Sequence, residues 1–314
     1  MSGADRPDEF ETIARLLRPL ATDPAARGLL DDAAVLTPQP GRQLVLTHDT
    51  LVEGVHFLAS DPPGTVAQKL LRTNLSDLAA KGAEPFGYLM STAWSPRCDW
   101  TFREAFAAGL AEDQGRFGLS LLGGDTVSTP GPLTVGATLL GWGEPSRCPS
   151  RSGARAGDLL FVSGPIGDGL LGLKAALGEL DGPRLLDHYR RPEPRLDLIH
   201  LARAATASAD VSDGLIADAG RIAEASGLGV RLDLAAMPVS AEGRAWLDGQ
   251  PDEASARLQL ATGGDDYQLL LAAAPGDAAR FSGLTQVGVF EGEAVEVVFD
   301  GAILPVARAG WRHG

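Results

Sequence analysis

Five short segments set aspartates among small or apolar residues: Leu30-Asp31-Asp32-Ala33-Ala34, Thr47-His48-Asp49-Thr50, Asn74-Leu75-Ser76-Asp77-Leu78, Gly123-Gly124-Asp125-Thr126 and Ala209-Asp210-Val211-Ser212-Asp213-Gly214. An ionised carboxylate in such surroundings is costly unless a cation or several donors meet it. Lysines are too few to supply that charge, since the chain has only Lys69, Lys81 and Lys174. Hard divalent cations are the natural partners. Magnesium prefers oxygen ligands, keeps several waters and commonly joins one or two carboxylates to the phosphates of a nucleotide. Each segment taken alone also has a plain structural reading. Ser212-Asp213-Gly214 before an apolar run has the form of a helix cap, Gly124-Asp125 could make a tight turn, and Asp31 could solvate a loop. The chemical reading rests on the five together.

Gly263-Gly264-Asp265-Asp266-Tyr267 repeats the theme, with a bare backbone that lets a ligand approach and a carboxylate to receive hydrogen bonds, or else a bulge or hairpin turn. His56 could be a core histidine or a ligand contact, Arg151 a phosphate clamp or a solvated charge, and Trp311 a core anchor or an aromatic lid. No Gly-x-x-x-x-Gly-Lys-Ser/Thr occurs, nor His-Arg-Asp, Asp-Phe-Gly or a nucleophile elbow. Phosphate chemistry here would therefore run through clustered carboxylates and metal rather than a P-loop, and a covalent route lacks an obvious nucleophile.

The elements that must position these residues show in the apolar spacing. Phe10, Ile13, Leu16, Leu17 and Leu20 mark an N-terminal helix over 8–20, Val66, Leu70, Leu71, Leu75 and Leu78 a helix over 65–81, and a further helix is expected over 100–117. Residues 44–47 read as a strand running into His48-Asp49, and 132–140 as another ended by Gly141 and Gly143. Gly, Pro and Ser concentrate over 143–158 without periodicity, so a boundary is expected there, with domains 1–145 and 146–314. Beyond it, strands are expected at 159–163, 230–234 and 267–272, and helices at 169–177 and 215–226. Strands and helices alternate in both halves, so the class is mixed α and β.

The bulk numbers exclude several classes. A chain of 314 residues suits two domains, and no apolar stretch is long enough for a membrane helix. A formal charge of −14 opposes binding to nucleic acid, whose affinity comes from Lys and Arg neutralising phosphates. Cys98 and Cys148 lie far apart without ligand spacing, so neither a disulfide framework nor a zinc knuckle is expected. Residues 1–9 have neither the basic flank nor the apolar segment of a secretory signal, and a cytoplasmic location is the expectation.

Taken in order, the aspartate segments, Thr50–Phe57, Asn74–Ala83, Arg151–Ala154 and Gly263–Tyr267 resemble the thiamine-monophosphate kinase family, from the first helix to Trp311. That resemblance implies an α/β (mixed α+β), two-domain fold of the aminoimidazole ribonucleotide synthetase type. Its N-terminal ATP- and magnesium-binding domain pairs its sheet with a second copy in a homodimer, and a C-terminal α/β domain follows. It also implies ATP in a cleft with several magnesium ions. Carried over by position, Asp32, Thr47, His48 through its carbonyl, Asp49, Asp77, Asp125, Asp210 and Asp213 would ligate magnesium, with Asp77, Asp125 and Asp213 at the catalytic centre. Gly124, Asp125, Arg151 and Ser212 would hold ATP, and His56, Asp265 and Trp311 the thiamine phosphate. The implied reaction is direct phosphoryl transfer from ATP to thiamine monophosphate. Three positions depart from the family's pattern: Leu30 replaces a glycine, His48 a hydroxyl residue and Asp265 a glutamate. A ligase of the aminoimidazole type, or a nucleotide-binding protein with a decayed site, are the other readings. Selenophosphate synthetase is disfavoured because no cysteine lies near the N-terminus.

Overall fold

The computed structural model describes residues 8–311; the opening seven, part of the segment inspected for an export signal, lie outside the described residues. Helical spacing over 8–20 appears as a short α1, Glu9–Thr12, continued by wider and tighter turns through Leu20. Two longer helices follow where periodicity placed them. In α2, Pro63–Ala80, the side chains of Leu70, Leu71, Leu75 and Leu78 are all fully buried. In α3, Trp100–Phe117, Asp99 caps the start by accepting from the Phe102 amide at 2.8 Å, and Gly118 ends it in the left-handed region at φ 68°. These two helices are tied by a buried bidentate pair, Arg72 Nε to Asp113 Oδ2 at 2.7 Å and Nη2 to Oδ1 at 2.8 Å. Removing one partner alone would strand a buried charge.

The strands of this first unit are β1, Gln43–Val52, β2, Glu84–Trp94, β3, Leu121–Ser128, and β4, Thr134–Gly143. They form one sheet in the order β1-β4-β2-β3, with β2 and β3 parallel and the other pairs antiparallel. Two expectations need correction. His48 and Asp49 lie inside a ten-residue strand, together with Thr47, rather than past the end of a short one. Gly141 does not stop β4, because the ladder runs through it, where it faces Val45 and Pro85, to Gly143, the strand's last residue, which faces Gln43. Strand β3 carries Gly124, whose φ is 149°. A Cβ there would stand 1.8 Å from the Met90 carbonyl oxygen of the neighbouring strand, so only glycine fits.

Chain compaction gives two units, one reaching Leu78 and including Glu84–Pro145, the other made of Ala79–Ala83 and the chain from Ser146 onward. Ala79 and Ala80 belong to the second because they pack with Phe161, Leu271 and Phe281, while Lys81 Nζ donates to the carbonyls of Pro149 and Ser208 at 3.2 and 2.9 Å.

The second unit is a seven-stranded mixed sheet. Its strands are β5, Leu159–Val162, β6, Ala207–Asp210, β7, Val230–Asp233, β8, Leu269–Ala273, β9, Thr285–Val289, β10, Val295–Phe299, and β11, Ala302–Ile303, in the order β11-β10-β7-β9-β5-β8-β6. Its helices include α4, Asp168–Ala176, α5, Pro183–Arg190, α6, Ile199–Ala202, and α7, Leu215–Ala225. A core of Leu160, Val162, Leu215, Ile222, Leu232 and Leu270 closes between sheet and helices. Strand β8 begins two residues later than expected, because Tyr267 takes φ 50°, outside the extended region. Among the described residues no helix is long and apolar enough to cross a membrane.

The contact at Gly124 gives a direct test. Gly124→Ala is expected to destabilise the protein by about 3 kcal/mol or more, since strand backbone must move. Urea unfolding that gives a loss below about 1 kcal/mol would show that the sheet can yield there.

Candidate functional site

Alternation along β1 puts Thr47 and Asp49 on one face. The buried apolar face of α2 sets Asp77 against them, and the Thr47 hydroxyl donates to Asp77 Oδ2. Asp49 accepts from the Thr73 hydroxyl, one helical turn before Asp77. Burial first, and the Asp77 carboxylate second, push Asp49 up to about 6, with Thr73 opposing. Two carboxylates share a poorly solvated place there. One turn before Asp77, Asn74 is fully buried and its Oδ1 has no hydrogen-bond partner.

A second group sits beside β3. Asp31, Asp32, Gly123, Gly124 and Asp125 line a cavity of about 200 Å³ whose floor includes Met90. Asp31 is spent locally: Arg27 pairs with it and holds its carboxyl below the usual range, and its Oδ1 accepts from the Asp32 amide at 2.8 Å. Asp32 and Asp125 are exposed at the cavity. Leu30, in place of the family's glycine, takes φ −111°, an ordinary value for any residue, so this departure strains nothing.

His48 is not brought to the Asp49 group. Its imidazole lies on the other face of β1, with Nδ1 2.9 Å from the Thr138 hydroxyl and Nε2 3.2 Å from that of Thr50. Only its carbonyl remains as a ligand atom. His56 is half-buried, and its Nδ1 accepts from the Val52 amide at 3.0 Å, which puts the proton of the neutral ring on Nε2.

In the second unit the loop after β6 is wrapped around one carboxylate. The amides of Ser212, Asp213 and Gly214 donate to Asp218 Oδ2 at 3.0, 3.0 and 3.2 Å. The cap expected from Asp213 therefore runs in reverse, with an acid in the first turn of α7 reaching back to the loop. Burial raises the Asp218 carboxyl, and Arg221 opposes it, bridging Asp218 at 2.6 Å and Asp213 at 2.5 Å. Asp210, at the end of β6, is only 4% exposed.

Backbone bonds bring two further segments to this loop. Asp265 N donates to Ser212 O and Tyr267 N to Val211 O, each at 2.8 Å, and Trp311 N donates to Asp213 O at 2.9 Å. Tyr267 Oη donates to Asp265 Oδ1 at 3.1 Å. Trp311, with Arg308 5.6 Å from its ring centre, borders a cavity of about 390 Å³ shared with Arg221, Glu224 and Glu293. The structure thus unites Ser212, Asp213, Asp265 and Trp311. Arg151 is exposed on a short turn whose carbonyl accepts from Ser226 Oγ at 3.0 Å.

Among the described residues no three His, Cys, Asp or Glu side chains gather closely enough to enclose an ion. The donor set still suits magnesium, which takes one or two carboxylates and fills its octahedron with water and phosphate oxygens. Asp49 with Asp77 supplies such a pair. Sequence reading missed Thr73, Asp218 and Arg221. The acid in the first turn of α7, where a helix start favours negative charge, was the available signal for Asp218.

The pattern of the AIR synthase related protein N-terminal domain matches residues 30–142, and that of its C-terminal domain residues 155–295. The thiamine-monophosphate kinase of Caulobacter vibrioides is 52% identical over 98% of this chain and 91% of its own length. The chain belongs to the thiamine-monophosphate kinase family. Among solved structures, the thiamine-monophosphate kinase of Stenotrophomonas maltophilia superposes with a TM-score of 0.79 at 34% identity, covering 91% of this chain and 94% of that one. The structure described as AaThiL complexed with AMPPCP and TMP gives 0.78 at 30% identity, covering 98% and 97%.

The Asp49–Asp77 pair makes a stability prediction. Because the folded chain holds a proton on Asp49 up to about 6 while the unfolded chain releases it near 4, stability falls as pH rises through that window and the penalty is complete above it. Asp49→Asn in metal-free protein at pH 7 is expected to gain roughly 1–3 kcal/mol. Equal or lower stability in denaturant titration would mean the pair is not in conflict.

Proposed function

We propose that this chain transfers the γ-phosphoryl group of ATP to thiamine monophosphate, giving thiamine diphosphate and ADP. The observation that carries the reading is 52% identity to a thiamine-monophosphate kinase along 98% of the chain, and the relative complexed with AMPPCP and TMP supports the substrate pair. The acceptor is a phosphate monoester already bearing ~1.5–2 negative charges because its second pKa is ~6, so no general base is needed. An acceptor oxygen forms the new bond to the γ-phosphorus as the bond to the β-bridging oxygen breaks, and ADP leaves with that electron pair. The obstacle is repulsion between two phosphate anions, so catalysis consists of positioning and electrostatic stabilisation.

In this reading Asp32, Thr47, Asp49, Asp77, Asp125, Asp210 and Asp213, with the His48 carbonyl, hold magnesium. The metal, when bound, supplies the positive charge that offsets the phosphates. Gly124 and Asp125 receive the nucleotide at the cavity beside β3, and Arg151 and Ser212 contact its phosphates. Ser212 is held ready because its amide is fixed on Asp218. His56 contacts the acceptor. Asp265 and Trp311 meet the acceptor where their amides tie them to the Ser212-Asp213 backbone. A cytoplasmic location belongs to the same reading.

We also propose a homodimer through the open face of the first sheet. Leu44, Leu46, Leu89 and Val127 lie there 46%, 59%, 42% and 51% exposed, on the face that also carries His48 and Thr50. Apolar side chains gathered on one sheet face are costly to leave in water and suit a second copy of the same surface.

An ADP-release assay with thiamine monophosphate tests the reaction. Turnover is expected with it and not with formylglycinamidine ribonucleotide, and the reverse preference would favour a ligase. Asp77→Asn and Asp125→Asn should each lower kcat roughly 100-fold or more; near-normal rates would remove those residues from the centre. For the dimer, light scattering should give twice the 32.7 kDa chain mass, with Leu46→Asp and Leu89→Asp shifting it to monomer. A monomeric unmodified protein would end that proposal.

A further inference from the structure

Asp266 is the member of the Gly263–Tyr267 motif to which the proposed reaction gives no role. Its side chain is fully buried. Oδ1 accepts from the amides of Gly167 and Gly169 at 2.9 and 3.0 Å, and Oδ2 lies 3.0 Å from the same Gly167 amide. These are amides at the start of α4, which have no partners within their own helix. The fit is tight around them. A Cβ on Gly169 would stand 2.4 Å from Gly264 O and 2.5 Å from Asp265 C and O, and one on Gly264 would meet Ser212 O at 2.6 Å. The loop is therefore held from two sides, by α4 through Asp266 and by the Val211–Asp213 backbone through the amides of Asp265 and Tyr267. Between these anchors, Asp265 at φ 59° and Tyr267 at φ 50° occupy the left-handed region, which non-glycine residues enter at a cost. Such a conformation persists only where the surroundings impose it, and the Asp266 side chain is one of the groups that hold the loop here.

We propose that Asp266 is a positioning residue of the reaction: by clamping its loop to the first turn of α4, it sets where the adjacent Asp265 carboxylate meets the phosphorylated acceptor. The inference rests on the reading of Asp265 as acceptor-binding. Burial pushes the Asp266 carboxyl up to about 8, against the two glycine amides, with Asp168 and Asp265 adding to the rise. Near neutral pH it is thus a neutral acid whose carbonyl oxygen faces the amides. Asparagine, equally neutral, has the same acceptor in the same place.

Steady-state kinetics of the full chain, with each substrate varied in turn, tests the role. Asp266→Ala is expected to raise KM for thiamine monophosphate roughly 10- to 100-fold and to leave KM for ATP within about threefold. Asp266→Asn should recover most of the loss. In an Asp265→Ala background the effect of Asp266→Ala on acceptor KM should vanish, because the second residue acts through the first. Equal rises in both KM values, no rescue by asparagine, or additive effects in the double variant would overturn the proposal. If Asp265→Ala alone leaves acceptor KM unchanged, the assignment of Asp265 falls and this inference with it. If that variant raises KM while Asp266→Ala does not, only the positioning role falls. Should Asp266→Ala fail to fold, Asp266→Ser takes its place, with an intermediate rise in acceptor KM expected and an unchanged value counting against the proposal.

Discussion

Carboxylates crowded into a poorly solvated place repel one another, and much of this structure is arranged to hold them there. Asp49 and Asp77 meet where a strand lies against a helix with a large apolar face, and the burial of Leu70, Leu71, Leu75 and Leu78 offsets what the acids cost. A site with that internal conflict is a ready receptor for divalent charge. The conflict also explains why the rest of the unit is firmly built. The Arg72–Asp113 pair ties the helices to each other, and Gly124 admits the edge strand at a distance no other residue allows.

Aspartates in this chain do two different jobs, distinguished by what their oxygens touch. Asp218 and Asp266 are buried acceptors for runs of backbone amides at helix starts, and each fixes a neighbouring loop. Asp32 and Asp125 stand open at a cavity. The first kind fixes the loops that carry Asp213 and Asp265. Ser212 and Asp213 sit on the amides that Asp218 gathers, Asp265 is adjacent to Asp266 in sequence, and both loops are joined by the bond from Asp265 N to Ser212 O. Rigid support of this kind matters where a reaction depends on placing two anions rather than on acid–base chemistry.

Legibility followed physical range. Helices α2, α3, α4 and α7 announced themselves through three-and-four spacing, a signal carried within a few residues. Strands β2 and β3 did not, because β2 opens with Pro85 and Gly87 and β3 holds two successive glycines. Which residues were acidic and small was plain, and the order of the motifs led to a family. That Asp266 would be spent on structure was not plain, since it depends on a loop and a helix start meeting across more than 90 residues, where Asp266 reaches Gly167 and Gly169. His48 shows the same limit. Its neighbours Thr47 and Asp49 share a face, and period-two geometry sends its ring to the other one, but only once the strand is known to run through it.

The departures from the family's pattern can be weighed in these terms. Leu30 lies in a backbone conformation open to any residue, so replacing glycine there removes no required freedom. His48 has found two hydroxyl partners on the outer sheet face, which leaves its carbonyl free of any demand from its side chain. Asp265 has a shorter arm than glutamate, yet its oxygen is held by the Tyr267 hydroxyl and its backbone by Ser212. A short side chain on a rigid loop loses less entropy on meeting a ligand than a long one on a loose loop. In the proposed acceptor site, precision of the backbone would stand in for reach of the side chain.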